Sequence, residues 1–348
     1  RNALIETKPA LQNVVRQVCT ALRPATMVVA DLGCSVGANT LLFVSEVIST
    51  VADAQCDNSE LGRLPMELQF FLNDLPGNDF NQVFQYTNEW IAQVVIPMDR
   101  SSSVLYLRAT KFFPRRSVHL FHSSYNQSVV ILFIVTQLIK DMDEWMADQN
   151  GVNIYIAKSS PPSVVKLYQN QFQKDMLLFL ELRYQELVPG GQMLLTFLGR
   201  KTDDVFYEDL SLLHALLAQA LLSLVSEGLV EKGKLESFNI PVYWPSIDEV
   251  KAVVARSELF DVGHIKLFES SWDPYNELES DHGMGNSLQS ATNIAKSVRA
   301  VTESLLACHF GDHILDVLFE RYLRIVHQTL LVRGVGNYSV IVMSLNQR

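Results

Sequence analysis

Cysteine is scarce in this chain. Its 348 residues contain four, at positions 19, 34, 56 and 308, and no two of them form a C-x-x-C pair. A disulfide framework needs more cysteines at closer spacing, and a structural zinc site needs paired ligands. Neither is expected, and a reducing compartment, the cytoplasm, suits the sequence.

Positive charge and long apolar runs are also lacking. The 28 Lys and Arg residues are outnumbered by 38 Asp and Glu, so the formal net charge is -10, and no block of five basic residues occurs. Nucleic acids and anionic membranes bind basic surfaces, so neither is an expected partner. The longest apolar run, Val129–Val135, has seven residues, whereas a membrane-spanning helix needs about 20. The expected partner is a small molecule.

The chain does contain an alternation of short strands and helices. Met27–Leu32 is an apolar run that ends in an acid and then glycines, which is typical of a buried parallel strand entering a turn. Residues 39–52 follow with helical periodicity. This alternation predicts an α/β fold with a doubly wound sheet. The further predicted strands are Leu68–Leu72, Val118–Phe121, Val152–Ala157 and Gln192–Phe197.

A second, largely helical part follows. Residues 207–230 are apolar on more than one face, which indicates a helix buried between the sheet and another layer. Residues 273–289 predict an exposed loop, residues 291–329 a helical pair, and Tyr338–Leu345 a terminal strand. We expect a core over residues 1–200, a helical cap with returns to the core over residues 201–335, and a last core strand over residues 336–348.

The strongest local signal for chemistry lies at the end of the first predicted strand. Asp31 is followed by Gly33 and Gly37, four residues apart, and then by a helix that begins near Asn39. Glycines let a ligand approach the backbone, and the start of a helix offers N–H donors. The third glycine of a dinucleotide-binding fingerprint is missing. The pattern favours a nucleoside that carries an amino acid, although an ordinary strand-to-helix turn would show the same residues.

A second acid, Asp74, follows the second predicted strand. An acid at this place can accept two hydrogen bonds from the hydroxyls of a ribose, so both strand-end acids would face one ligand. The alternative is that Asp74 only caps the turn in LPGNDF (residues 75–80), where Asp79 could equally cap the next helix.

Six blocks of the sequence resemble one known family. They are DLGCSVGAN (residues 31–39), FLNDLPGNDF (71–80), FHSSY (121–125), NIYIAKSSPPSVVK (153–166), VPGGQMLLTFLGRK (188–201) and SFNIPVY (237–243). They look like the SABATH methyltransferases of plants, which methylate salicylate, benzoate, anthranilate, jasmonate, indoleacetate and xanthine alkaloids. The resemblance implies a Rossmann-like class I methyltransferase fold with a helical cap, S-adenosylmethionine as cofactor, a small aromatic acid as substrate, and a homodimer.

The resemblance also implies three sets of site residues. The cofactor would be held by Asp31, Gly33, Cys34, Gly37, Asn39, Asp74, Leu75, Ser123 and Tyr125. The substrate pocket would contain Tyr125, Ser128, Val129, Leu213, His214, Val298, Val301 and Tyr338. Some members also hold a magnesium ion, a hard cation that prefers oxygen ligands. Its positions correspond to Asn150, Glu236, Phe238 and Asn239.

Several family elements are altered here. Val129 stands where the family has a Trp that holds the substrate carboxylate, and valine cannot donate a hydrogen bond. Residues 106–110 replace the family's Gly-Ser-Phe-Tyr-Gly loop beside the cofactor, and the family's N-terminal Ser-x-x-Gln element would fall just before Arg1. Two alternatives stay open, a SABATH scaffold without the reaction and an N-methyltransferase for a neutral heterocycle. His214, flanked by Leu213 and Ala215, is as readily a core histidine as a substrate contact.

Methyl transfer to a carboxylate needs no catalytic base. A carboxyl group with a pKa near 4 is ionised at pH 7. Proximity and orientation then supply the catalysis, about 7–11 kcal/mol when the reacting atoms are aligned. The absence of an obvious base is therefore compatible with a carboxyl methyltransferase, and no residue is expected to act as acid or base.

Overall fold

The strands of the chain form one mixed sheet. The computed structural model describes residues 2–35, 38–57, 66–74, 79–83, 85, 105–107, 113–124, 150–206, 208–275 and 287–348. Its strands are β1 (Thr26–Leu32), β2 (Glu67–Asn73), β3 (Leu105–Leu107), β4 (Val118–Ser124), β5 (Leu187–Gly199), β6 (Phe260–Ser271) and β7 (Asn337–Gln347). Their order across the sheet is β3-β2-β1-β4-β5-β7-β6.

The order of the strands places a ligand-binding edge at β1. Strands β1 to β5 pair in parallel, whereas β7 pairs antiparallel with both β5 and β6. From β1 the chain proceeds to β2 and β3 on one side and then returns to β4 and β5 on the other. Such a switch point opens a crevice at the carboxyl ends of the strands, where doubly wound sheets bind their ligands.

Helices cover both faces of the sheet and form a further layer. They are α1 (Asn2–Leu22), α2 (Ala38–Asp57), α3 (Pro162–Glu186), α4 (Glu208–Ser226), α5 (Lys232–Glu236), α6 (Ile247–Ser257), α7 (Ser287–Phe310) and α8 (Leu315–Arg333). Helix α1 packs on α2 and β5, and α3 packs on α6. Helix α8 packs on both α4 and α7, which builds the cap.

Three groups of buried apolar side chains hold these layers together. Successive side chains of a strand alternate between faces, so Val29 of β1 joins the group under α1 and α2, while Ala30 joins the group under α3 and α6. The third group lies in the cap, where Leu217 of α4, Ile294 of α7 and Leu318 of α8 are buried together. The cap therefore has a core of its own.

Most predicted elements are confirmed. Strands β1, β2, β4, β5 and β7 cover the predicted runs, α2 covers residues 39–52, and α7 and α8 form the expected helical pair. The division into three parts remains a prediction; within its second part, α6 and β6 lie on the sheet. No described helix is long and apolar enough to span a membrane.

One predicted strand, Val152–Ala157, is wrong. This segment is a buried loop whose backbone groups bond to side chains and to another loop. The amide of Asn150 donates to the carbonyl of Tyr155 at 3.2 Å, Ser160 Oγ accepts from the amide of Ala157 at 2.9 Å, and the carbonyl of Ile154 accepts from Ile240 at 2.7 Å. These partners satisfy the backbone without a neighbouring strand.

The predicted exposed loop over residues 273–289 is confirmed as a turn at its start, where Pro274 and Tyr275 are exposed, but it is wrong for the burial of Asp273 and at its carboxyl end. Asp273 is buried, and its carboxylate accepts hydrogen bonds from the backbone of Tyr275 and the side chain of Asn293. At the other end, α7 already begins at Ser287. Residues 276–286 lie outside the described part of the chain.

Candidate active site

Hydrogen bonds fasten the turn after β1 to neighbouring elements. Gly33 and Ser35 have left-handed backbone angles, with φ of 76° and 56°, a conformation that is easy for glycine and costly for other residues. The backbone amides of Gly33 and Cys34 donate to the carbonyl of Asn73 at 2.6 and 3.0 Å. The carbonyl of Cys34 also accepts from the hydroxyl of Thr40 on α2. The turn is thus fastened to the end of β2 and to α2.

Two acids flank this turn at the carboxyl ends of neighbouring strands. Asp31, the second-last residue of β1, is buried, and its Oδ1 lies 2.7 Å from Nδ1 of His122 on β4. Asp74, half-buried just after β2, accepts a hydrogen bond at 2.5 Å from the backbone amide of Ser35. Burial and the two nearby carboxylates raise the pKa of the Cys34 thiol far above its ordinary value. The site therefore concentrates negative charge beside a glycine turn.

The predicted alternative for Asp79, the N-cap of the next helix, is confirmed. The backbone amide of Gln82 donates to Oδ1 of Asp79 at 3.2 Å, so Asp79 caps the short helical segment that follows. Asp74 accepts its hydrogen bond from the turn after β1, and residues 75–78 of the LPGNDF turn lie outside the described residues. The two strand-end acids are thus connected through one turn.

Two further predicted cofactor residues, Ser123 and Asn39, lie within the described part of the chain. Ser123 is buried and donates from its hydroxyl to the carbonyl of Leu32 at 3.1 Å, which ties β4 to β1. Asn39 is exposed in the first turn of α2. Gly37, Leu75 and Tyr125 lie outside the described residues.

A cavity of about 360 Å³ lies at the same edge of the sheet. The loop before α3, the start of α4 after β5, and the end of α8 before β7 all approach this edge, and each contributes to the cavity wall. Its lining residues are Asn153, Ile154, Tyr155, Ile156, Ala157, Lys158, Phe206, Ser211, Leu212, His214, Ala215, Ala218 and Arg333. The described lining thus contains two cationic side chains and no carboxylate.

Aromatic rings form one wall of the cavity. The rings of His214 and Tyr155 lie 5.3 Å apart between centroids. Trp244 lies behind them, 4.5 Å from the Tyr155 ring and 4.9 Å from the His214 ring. Such contacts suit aromatic packing, so this wall presents ring faces and edges to a ligand.

A buried ionic network fixes Trp244. The guanidinium of Arg200, directly after β5, donates to the carbonyl of Trp244 at 2.6 Å and to the hydroxyl of Tyr243 at 2.9 Å. It also pairs with Glu249 at 2.7 Å, and Tyr243 donates to the same carboxylate at 2.8 Å. Burial raises the pKa of Tyr243 to about 12, so this hydroxyl stays protonated at neutral pH. The network holds the segment that carries Trp244 against the sheet.

Neither His122 nor Arg200 was among the predicted site residues. Each is a polar residue at the end of an apolar strand, beside the predicted binding edge. That position was the available signal, because a buried polar group at the end of a strand needs a partner. The identity of the partner depended on strand pairing, which the sequence pattern does not contain.

The predicted substrate residues that the structure describes lie in different places. Among those described, His214 lines the cavity. Leu213 and Val298 are buried in the core of the cap, Tyr338 is half-buried beside Trp272, and Val301 is 66% exposed. Ser128, Val129 and Tyr125 lie outside the described residues.

Of the four predicted magnesium residues, Asn150 and Asn239 are in direct contact. Oδ1 of Asn150 accepts from Ser160 at 2.6 Å, and Oδ1 of Asn239 accepts from the amide of Asn150 at 2.9 Å. Glu236 pairs with Lys232 along α5 at 2.9 Å, and the Phe238 side chain is buried in the core of the cap. The magnesium site therefore remains a prediction. The described part of the chain also contains no cluster of three His, Cys, Asp or Glu.

The sheet order, the antiparallel β7 and the acid-flanked turn at the switch point define a class I methyltransferase with a Rossmann-like fold. A family model described as SAM dependent carboxyl methyltransferase matches residues 1–348. The chain belongs to this family, the SABATH methyltransferases, and its cofactor is S-adenosylmethionine. Its turn fits that cofactor, because a carboxylate suits the ammonium of the methionine part and a second acid suits ribose hydroxyls.

Named relatives match nearly the whole chain. Anthranilate O-methyltransferase 3 from Zea mays is 47% identical over an alignment of 354 residues. The alignment covers 99% of this chain and 91% of that protein. Benzoate O-methyltransferase from Zea mays is 47% identical over 346 residues, 94% of this chain and 89% of that protein. Among solved structures, a loganic acid methyltransferase with SAH superposes with a TM-score of 0.77 at 24% identity, covering 99% of this chain and 93% of the other. The last likeness concerns the fold.

Proposed function

We propose that this chain forms the methyl ester of a small aromatic acid of the anthranilate and benzoate class. The observation that carries the proposal is the cavity at the carboxyl edge of the sheet, with its aromatic wall and its cationic rim. The curated relatives, with 47% identity to a named anthranilate enzyme and a named benzoate enzyme, support the same class of substrate.

The cavity suits one aromatic ring. Its volume of about 360 Å³ is near the lower end of the range of roughly 300–1,000 Å³ seen for small-molecule sites. Lys158 and Arg333 are both exposed residues of the lining, and no described lining residue carries a negative charge. A carboxylate is therefore attracted to this cavity, whereas a cationic ring is not.

The proposed reaction relies on binding and orientation. When bound, S-adenosylmethionine supplies a methyl group on a positively charged sulfur, which the substrate carboxylate takes as S-adenosylhomocysteine leaves. Asp31 pairs with the ammonium group of the cofactor, and Asp74 accepts hydrogen bonds from its ribose. His214 and Tyr155, with Trp244 packed behind them, orient the aromatic ring of the substrate. The carboxylate is already ionised at pH 7, so no residue needs to remove a proton.

Calorimetry with S-adenosylhomocysteine and a radiolabelled methyl-transfer screen test this proposal. The acceptors are anthranilate, benzoate, salicylate, jasmonate and a xanthine. We expect binding and transfer to anthranilate or benzoate. Binding with transfer only to the xanthine would establish an N-methyltransferase instead, and binding without any transfer would establish a scaffold that has lost its reaction. Absence of binding would refute the cofactor site itself.

A matched pair of variants tests the role of the second strand-end acid. Asp74→Ala removes the acceptor proposed for the ribose, and hydrogen bonds to charged groups contribute about 1.5–3 kcal/mol. We expect S-adenosylhomocysteine to bind roughly 10- to 100-fold more weakly. The control Asp79→Ala removes a nearby carboxylate that caps a helix, and it should change the affinity less than about 2-fold, or 0.4 kcal/mol. Equal effects of the two variants would contradict the assignment.

The homodimer implied by the family resemblance remains a prediction. A single chain has a mass of 39.3 kDa. Light scattering would show twice this mass for the dimer, and the monomer mass across the micromolar range would refute it.

A further inference from the structure

The buried pair of His122 and Asp31 lies at the centre of the cofactor site. Strands β1 and β4 pair in parallel with Asp31 directly opposite His122. The two side chains are almost entirely buried, and Nδ1 of the imidazole lies 2.7 Å from Oδ1 of the carboxylate. A carboxylate only accepts hydrogen bonds, so Nδ1 carries the proton and donates it. The pair therefore occupies the switch point of the sheet.

A third residue fixes the orientation of the imidazole. The ring of Phe43, on α2, stacks on the ring of His122 with centroids 3.9 Å apart and planes inclined by 12°. Phe43 is itself buried. The ring is thus held by stacking on one side and by the hydrogen bond at its edge. The direction in which Nδ1 meets Oδ1 of Asp31 is therefore set by β4 and α2 together.

The second oxygen of Asp31 remains available. Oδ1 is taken by His122, and within the described residues Oδ2 accepts no hydrogen bond. A carboxylate that could rotate freely would present either oxygen in many directions, whereas the hydrogen bond from His122 to Oδ1 limits this rotation. An imidazole also differs from Lys or Arg in this position, because it can donate a hydrogen bond while uncharged and so leave the negative charge of the acid for a cationic ligand.

We infer that His122 is a positioning residue for the cofactor: it holds Oδ1 of Asp31 so that Oδ2 meets the ammonium group of S-adenosylmethionine. This inference rests on the proposed role of Asp31 in binding the cofactor. His122 does not touch the reacting atoms, and its effect on affinity passes through Asp31. The inference therefore predicts coupling between the two residues, which a merely structural histidine would not show.

The test is a double-mutant cycle on the affinity for S-adenosylhomocysteine. His122→Phe keeps an aromatic ring for stacking and removes the donor. We expect it to weaken binding roughly 10-fold, the scale of one hydrogen bond to a charged group. His122→Asn can place an amide N–H where Nδ1 lies, and it should restore affinity to within about 3-fold of wild type. In an Asp31→Asn background, His122→Phe should have no further effect.

A neighbouring histidine supplies the matched control. His119, three residues earlier on β4, accepts at Nδ1 from the backbone amide of Val28 at 3.1 Å and is not bonded to Asp31. His119→Phe should leave the affinity for S-adenosylhomocysteine unchanged, although it removes a hydrogen bond between the same two strands. If His122→Phe does not fold, the test uses His122→Gln in its place. The side chain of Gln is longer than that of Asn and does not place a donor at the Nδ1 position.

The outcomes are distinct. A wild-type chain that fails to bind S-adenosylhomocysteine refutes the cofactor site and this inference together. If the wild type binds and Asp31→Asn weakens binding, but His122→Phe has no effect, the inference alone fails. It fails equally if His122→Phe weakens binding by the same factor with and without the Asp31 carboxylate, or if His119→Phe weakens it as much.

Discussion

Asp175 provides a stability test whose sign and size follow from burial. It lies on α3, only 3% exposed, and its Oδ1 accepts a hydrogen bond from Gln171 at 2.8 Å. Burial raises the pKa of this carboxyl from 3.8 to about 6, while Gln171 and Lys174 act in the opposite direction. At 1.36 kcal/mol per pH unit, ionising Asp175 in the folded chain costs up to about 3 kcal/mol. The charge therefore opposes folding at neutral pH.

The sign of the pH dependence follows from linkage. The folded pKa, about 6, exceeds the unfolded value of 3.8, so the folded state binds more protons between these values. The stabilising contribution of the protonated carboxyl is fully present below pH 3.8 and is lost as the pH rises through about 6. Asp175→Asn removes this titration and keeps an oxygen that can accept from Gln171. We expect it to raise the free energy of unfolding by about 1–3 kcal/mol at pH 8 and by little near pH 4.

Urea unfolding at pH 4, 5, 6, 7 and 8 measures this difference. The control is Glu181→Gln, because Glu181 is exposed on the same helix and its substitution should change stability by less than about 0.5 kcal/mol at every pH. A gain for Asp175→Asn that is the same at pH 4 and pH 8 would refute the reasoning, since a packing effect does not titrate. A loss of stability at pH 8 would refute it as well.

Three further predictions concern packing, reactivity and the network behind the cavity. A Cβ on Gly199 would lie 2.8 Å from the carbonyl oxygen of Pro245, so Gly199→Ala should lower the free energy of unfolding by about 1–3 kcal/mol in urea titrations. Iodoacetamide at pH 8 should alkylate Cys308, which is exposed, and leave Cys34 unmodified in peptide mass spectra, because burial raises the pKa of the Cys34 thiol. Glu249→Gln leaves a buried guanidinium without its carboxylate; it should cost about 2–4 kcal/mol of stability and raise the KM for the acid.

Each of these predictions has its own control. A Cβ on Gly233, in α5, would meet no atom within 4 Å, so Gly233→Ala should stabilise the chain by up to about 1 kcal/mol. Destabilisation by both glycine variants would contradict the clash at Gly199. Alkylation of Cys34 in the native chain as fast as in urea would contradict its burial. An unchanged KM for Glu249→Gln would show that the network does not affect substrate binding at the cavity wall.

Local pattern was sufficient for most of the regular elements and for the acid-flanked turn after β1. The apolar run at β1 and the periodicity of α2 are properties of neighbouring residues, so the sequence alone predicted both. Asp31 and Asp74 each stand at or just after the end of a strand, and the carboxyl ends of neighbouring parallel strands meet at one edge. Their proximity could therefore be expected before the structure was known. The family was also predicted from the sequence, because blocks such as FHSSY resemble those of its members.

Tertiary structure decided whatever depended on distant partners. Val152–Ala157 has the composition of a strand, yet Asn150, Ser160 and Ile240 satisfy its backbone and make it a loop. His122 reaches Asp31 only through the register of β1 and β4, and Arg200 acquires its role from a segment more than forty residues away along the chain. Hydrophobic periodicity reports which face of an element is buried, but it does not report what lies against that face. The partner of a side chain, the register of two strands and the charges around a group all depend on contacts between residues that are remote in the sequence. For this reason only the folded chain determines them.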